Sequence, residues 1–187
     1  QALEAWPQLA RATIMQGDME AAAGNRAGAI EIWQRIEQQD PKFLPLVAER
    51  LLGAYRDSGH LDEGIALLQR YLAKHHSLDL MNVVSAAILQ RDGAEAAYQL
   101  VREELHRNPT LLGLDKLLET RLLGLSEERR SDVDMVRKLL HQRTRQLAMY
   151  QCASCGFKAR QYYWHCPACH GWETYAPRHA EEGGKPL

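Results

Sequence analysis

The chain has 187 residues, 45% of them apolar and a formal net charge of −1, enough for one or two soluble domains with a real core. The near-balanced charge argues against a generic nucleic-acid binder, and no apolar run is long enough to span a bilayer or to serve as a secretory core. Opening on Gln1 rather than Met, it reads as an excised, cytosol-facing piece of a longer protein.

From the N-terminus the dominant signal is a repeat. Gly24, Gly59 and Gly93 are spaced by 35 and 34 residues, the period of a helix–turn–helix unit. Small residues follow in phase at Ala29, Gly64 and Ala97, bulky ones a turn later at Trp33, Leu68 and Val101, and unit-closing residues at Pro41, His76 and Pro109. The small residue lets two helices approach, the bulky one fills the gap, and proline ends the helix. The third unit is one residue short between Gly93 and Ala97. Residues 51–65, from Leu51-Leu52-Gly53-Ala54-Tyr55 to Gly59-His60-Leu61-Asp62-Glu63-Gly64-Ile65, resemble a tetratricopeptide unit, although Thr13 and Glu20 stand where that pattern prefers aromatics.

A further helical pair is predicted over Thr110–Gly124 and Ser131–Met149. One apolar face comprises Leu114, Leu117, Leu118 and Leu122, and the other Val133, Val136, Leu140 and Leu147; Ser131 followed by Asp134 is read as the capping signal. The stretch from Met135 to Trp172 contains no Asp or Glu but carries Arg137, Lys138, Arg143, Arg145, Lys158 and Arg160. It is a candidate partner surface, or a helix face whose charges are balanced elsewhere.

The only cysteines form two CxxC pairs, Cys152/Cys155 and Cys166/Cys169, ten residues apart. Two such knuckles can close a tetrahedral four-thiolate site, with Gly156 permitting the tight turn after the first. Zinc is expected first and iron second, ahead of disulfides or free thiols, and four sulfurs leave no open position for hydrolytic water. His165 and His170 flank the second pair and are expected outside the ligand set. Tyr150, Phe157, Tyr162, Tyr163, Trp164 and Trp172 are expected to fill the ribbon and dock it on the preceding helix, because the connection from the last helix is so short.

No constellation makes a convincing catalytic centre. His75 and His76 read as a polar helix-ending turn, and Glu63, Glu103 and Glu104 as solvated surface. A repeat scaffold without catalytic residues suggests a platform for protein partners. Glu49 and Arg56 are nominated in the groove of the second unit, and Arg137 and Arg143 on the basic stretch. The expected organisation is a helical array over 1–149, a metal-binding ribbon over 150–178 and a disordered tail over 179–187.

Helical units followed by Cys152-Ala153-Ser154-Cys155-Gly156-Phe157 and Tyr163-Trp164-His165-Cys166-Pro167-Ala168-Cys169 resemble the lipopolysaccharide assembly protein B family. The resemblance implies an all-α tetratricopeptide-type solenoid with a C-terminal rubredoxin-like ribbon and no enzymatic activity, with Cys152, Cys155, Cys166 and Cys169 as ligands. It further implies an adaptor, anchored in the inner membrane of Gram-negative bacteria by an N-terminal helix, on the cytoplasmic side. That adaptor promotes degradation of the LpxC deacetylase by the FtsH protease and is opposed by an inner-membrane regulator. The gap between knuckles is shorter than in electron-transfer rubredoxins and His170 replaces a usual glycine, both of which favour a structural ion. Nucleic-acid binding by the ribbon, or electron transfer by an iron-loaded one, are the readings of other classes.

Overall fold

A computed structural model of the chain describes residues 9–145 and 150–179. It divides into two compact units, 1–75 and 76–187.

The first unit is built from α1 (Ala10–Ala22), α2 (Arg26–Gln34), α3 (Ile36–Gln39), α4 (Leu44–Asp57) and α5 (Leu61–His75), with a 3-10 turn at Pro41–Phe43. Its two glycine turns are copies of one another. Gly24 and Gly59 adopt φ of 83° and 79°, where a β-carbon is penalised. In each, the next amide reaches back five residues, Asn25 to the Glu20 carbonyl and His60 to the Tyr55 carbonyl, both at 2.9 Å, which closes the helix end as a Schellman turn.

The phased small and bulky residues do what their spacing predicts. Ala29, Trp33 and Leu68 are buried, and a β-carbon on Gly64 would lie 2.8 Å from Tyr55 Cβ, so only glycine allows that approach. The second helix of the first repeat is interrupted at Arg35, whose amide bonds the Ile32 carbonyl three residues back. Asp40 then turns extended and its side chain caps the Lys42 amide, with Pro41 opening the 3-10 turn.

Glu37 on α3 ties down the end of α5, accepting from Lys74 Nζ at 2.8 Å with His75 Nε2 at 3.3 Å. Its carboxyl is held below the usual carboxylate range chiefly by the Lys74 hydrogen bond, against the opposing effect of burial. A depressed pKa stabilises the fold above the unfolded value and is lost as pH falls through the folded one. Glu37→Gln is therefore expected to lower the thermal midpoint at neutral pH by a few degrees, about 0.5 kcal/mol for a partly exposed pair. Thermal scans of both proteins should converge as the pH falls through the lowered pKa of the folded Glu37 carboxyl, where the carboxylate becomes protonated.

The second unit contains α6 (Leu78–Asp92), α7 (Ala94–Arg107), α8 (Leu111–Leu123), α9 (Glu127–Thr144) and a ribbon of β1 (Tyr150–Cys152), β2 (Lys158–Ala159) and β3 (Tyr175–His179). Gly93, at φ 90° and ψ −178°, is both the C-cap of α6 and the N-cap of α7. This is the structural form of the missing residue: the first two turns use a glycine plus a separate N-cap position, the third merges them. Ala97 and Val101 are fully buried in phase with the earlier repeats, and Thr110 after Pro109 caps α8 through the Gly113 amide at 3.0 Å.

Three expectations are corrected here. The last helix starts at Glu127, not Ser131, with Ser126 in the extended N-cap position and Glu127 and Glu128 in the first turn, where acidic side chains meet the positive helix end. Ser131 lies inside it. Val133 and Leu140 are partly covered, but Val136 is 51% exposed and belongs to the opposite face. Glu104 is not surface: it is 4% exposed and bonds His76 Nδ1 at 2.8 Å. His76, at φ 43°, does end the helix as a polar turn. Residues 146–149, including Leu147 and Met149, lie outside the described residues.

Among the described residues no helix is long and apolar enough to cross a membrane. The fold is thus a run of helical hairpins followed by a small three-stranded ribbon.

Candidate metal centre

The three strands form an antiparallel sheet in the order β2-β1-β3, with Tyr150 opposite both Ala159 and His179 and Cys152 opposite Tyr175. The knuckles are pseudo-symmetric. Gly156 N–H donates to the Cys152 carbonyl and His170 N–H to the Cys166 carbonyl, each at 2.9 Å, and both residues adopt left-handed backbone, φ 76° and 58°.

His170 therefore sits in a conformation that costs a side chain about 1 kcal/mol relative to glycine. His170→Gly is expected to strengthen the ribbon. A slower loss of metal to a chelator would report this, and faster loss would show that the imidazole contributes more than the turn costs.

All four sulfurs lie within 4.8 Å of one another. Cys152 and Cys169 are 3.8 Å apart, and Cys155 and Cys166 are 3.7 Å apart. A disulfide would hold sulfurs at about 2.05 Å, and all four cysteines are free. The edge of a tetrahedron with metal–sulfur bonds of about 2.3 Å is about 3.8 Å. The spacing fits one tetrahedral ion and leaves no coordination position vacant.

The local electrostatics favour thiolates at particular positions. At Cys152 burial opposes ionisation, but the Thr174 hydroxyl at 3.3 Å and then the Cys155 and Ser154 amides outweigh it and bring the thiol down to about 6. Cys169 is lowered first by the Gly171 amide. At Cys155 the Phe157 amide favours the thiolate, yet burial and the other three sulfurs push it to about 12. Crowded negative sulfurs of this kind are what a dication neutralises.

His165 and His170 lie outside the four-sulfur group. Their rings pack on each other at 5.4 Å, and His165 packs on Trp172 at 4.7 Å.

Among the described side chains of the ribbon, Cys152, Cys166 and Tyr175 form the buried core, with Tyr150, Ala159, Tyr162 and Tyr163 against them. Tyr175, which the sequence reading passed over, is fully buried and donates to the Phe157 carbonyl at 2.9 Å. Burial, and then the negative Cys166, Cys152 and Cys155 sulfurs, raise its phenol to about 12. Phe157 and Trp172, expected as docking aromatics, are 42% and 60% exposed. The signal that separates them is alternation: Tyr175 opposes Cys152 in the sheet, while Phe157 and Trp172 sit beyond the knuckles.

A polar contact ties the ribbon to Asp79 in the first turn of α6. Its carboxylate accepts from Tyr150 Oη on β1 and faces His179 Nε2 on β3, each at 2.9 Å. The Tyr150 and His179 rings stack at 4.8 Å. His179, expected in the tail, is thus the last residue of β3; residues 180–187 lie outside the described residues.

Beside this contact a cavity of about 250 Å³ is lined by Asp79, Asp115, Glu119, His141, Arg145 and His179, among others. Its carboxylates have partners within the unit: Asp115 faces His141 at 2.9 Å and Arg137 at 3.3 Å, and Glu119 faces Lys116 at 3.1 Å and Arg137 at 3.0 Å.

Arg137, nominated for a partner, therefore bridges α9 to α8 through Asp115 and Glu119. Arg143 is exposed and makes no ion pair among the described residues, and Glu49 and Arg56 are both exposed on α4.

A repeat of helical hairpins closed by a two-knuckle, four-thiolate ribbon defines a rubredoxin-type metal-binding repeat protein. Residues 150–177 match the rubredoxin metal binding domain. Over 175 residues, 93% of its length, the chain is 34% identical to lipopolysaccharide assembly protein B of Escherichia coli (strain K12). It is 22% identical to the protein of that name from Haemophilus influenzae over 177 residues, 94% of its length. The chain is similar to the lipopolysaccharide assembly protein B family over nearly all of its own length, and it spans 45% of the length of either relative.

Proposed function

We propose that this chain is part of a non-catalytic adaptor in lipopolysaccharide assembly, with zinc as the resident ion. The observation that carries the reading is similarity to proteins named for lipopolysaccharide assembly that extends over 93% of the chain, hairpins and ribbon together. The sulfur arrangement agrees with it: four thiolates saturate a tetrahedral ion, so the metal holds shape and has no site for a substrate. Zinc supplies no redox couple, and its role in the ribbon is to fold it.

In this reading the tetratricopeptide-type hairpins present the protein-binding surface. The adaptor brings the LpxC deacetylase to the FtsH protease at the cytoplasmic face of the inner membrane, raising effective concentration without chemistry of its own. Glu49, Arg56 and Arg143 are the exposed charges proposed to contact partners. The test is co-purification of the membrane-anchored full-length protein with both the deacetylase and the protease in reconstituted bilayers. Binding of both is expected, and failure to bind either would remove the adaptor role. Metal analysis of anaerobically purified protein should give one zinc per chain; stoichiometric iron would replace the structural assignment with a redox one.

A further inference from the structure

We infer that α9 is a self-association helix, which pairs antiparallel with α9 of a second copy of this chain. One face of α9 is committed to α8 through Arg137 to Asp115 and Glu119, and Val133 and Leu140 are partly covered. At 100° per residue, Met135, Val136 and Leu139 fall on the far side. They are 58%, 51% and 60% exposed. A helix ending a repeat array is expected to turn a polar face to water. Three aliphatic side chains clustered there are a contact surface without its partner.

Charge along the same stripe selects the partner. Asp132 precedes the aliphatic cluster by one turn and Arg143 follows it by one turn. Both are exposed, and neither makes an ion pair among the described residues. Read from its N-terminal end the stripe is acidic, aliphatic, then basic, which is complementary to itself when reversed. A two-fold axis between Val136 and Leu139 sets Val136 against the partner's Leu139 and Asp132 against the partner's Arg143. Because the pairing is isologous, every contact is made twice. A parallel arrangement would oppose Asp132 to itself. An anionic membrane surface is disfavoured by the same aspartate, since interfacial helices flank their apolar face with cations.

A single helix pair is smaller than a standard interface, so the dissociation constant is expected on the order of tens of micromolar. Sedimentation velocity of the 187-residue chain, from about ten micromolar to about one millimolar, tests this. Concentration-dependent dimer is expected, abolished by Leu139→Asp. Asp132→Arg and Arg143→Asp should each weaken it about tenfold, and the two together should restore it. Far-UV circular dichroism checks that each variant keeps its helices, with Met135→Gln as a milder apolar variant.

A chain that stays monomeric throughout overturns the inference. So does a dimer that tolerates both Leu139→Asp and Met135→Gln, or a double exchange as weak as either single one. Cross-linking of α9 to a different protein, while the chain alone remains monomeric, would likewise replace self-association with a heterologous contact.

Discussion

Cys166→Ser is expected to empty the metal site and unfold the ribbon while the helical signal survives. Cys166 is fully buried and its sulfur is 3.7 Å from that of Cys155, so serine removes one thiolate at the centre of the site rather than at its rim. A structural zinc site contributes about 10–16 kcal/mol of apparent binding free energy at neutral pH, and loss of one soft ligand lowers the affinity by orders of magnitude. The ribbon has little else to hold it, because among its described side chains the buried set is two cysteines and Tyr175.

The hairpins depend on their own neighbours, so far-UV circular dichroism should change little. The ribbon's share of the Tyr and Trp near-UV signal should be lost, while buried Trp33 and Tyr71 in the first unit keep theirs. The second unit should also melt earlier than in the parent, since unfolding β1 and β3 releases Asp79 from Tyr150 and His179. Retention of one metal per chain in the purified variant would contradict the four-thiolate assignment.

The sequence exposed those parts of the fold that a local rule controls. Gly24, Gly59 and Gly93 are legible because a helix stop with positive φ favours glycine, and even the one-residue deletion before Ala97 has a direct counterpart in Gly93 serving two caps. The cysteines were legible because CxxC spacing is itself the geometry of a knuckle.

What escaped depends on distant partners. Glu104 carries no local mark of burial, as its environment is set by His76, 28 residues away. Asp79 looks like an ordinary first-turn acid, yet it receives Tyr150 and His179 from 71 and 100 residues further along the chain. The start of α9 is hidden because Ser126 lacks the Glu or Gln of a capping box at its third following position, while Ser131 offers a closer imitation. Val136 escapes a reading by periodicity because the apolar residues of α9 occupy two faces, and periodicity alone does not say which of them meets α8.

The other large effect is expected in the first unit, at the contact of α1 with α2. Trp33 is 3% exposed, and its indole N–H donates to the Ile14 carbonyl at 3.3 Å. A β-carbon on Gly17 would fall 2.3 Å from Trp33 Nε1, so the indole occupies the space that glycine leaves on α1. Trp33→Ala is expected to cost about 3–5 kcal/mol, a large part of the stability of a unit of this size. Thermal or urea unfolding followed by circular dichroism should show it, with metal content unchanged.

Gly17→Ala in the parent adds a methyl group where the ring already sits and should cost about 1–3 kcal/mol. In the Trp33→Ala background the obstruction is gone, and the same substitution gains helix propensity of about 0.5–1 kcal/mol. The effect of Gly17→Ala should therefore change sign between the two backgrounds. Additive effects in this cycle would mean that Gly17 and Trp33 do not share the space the structure assigns them.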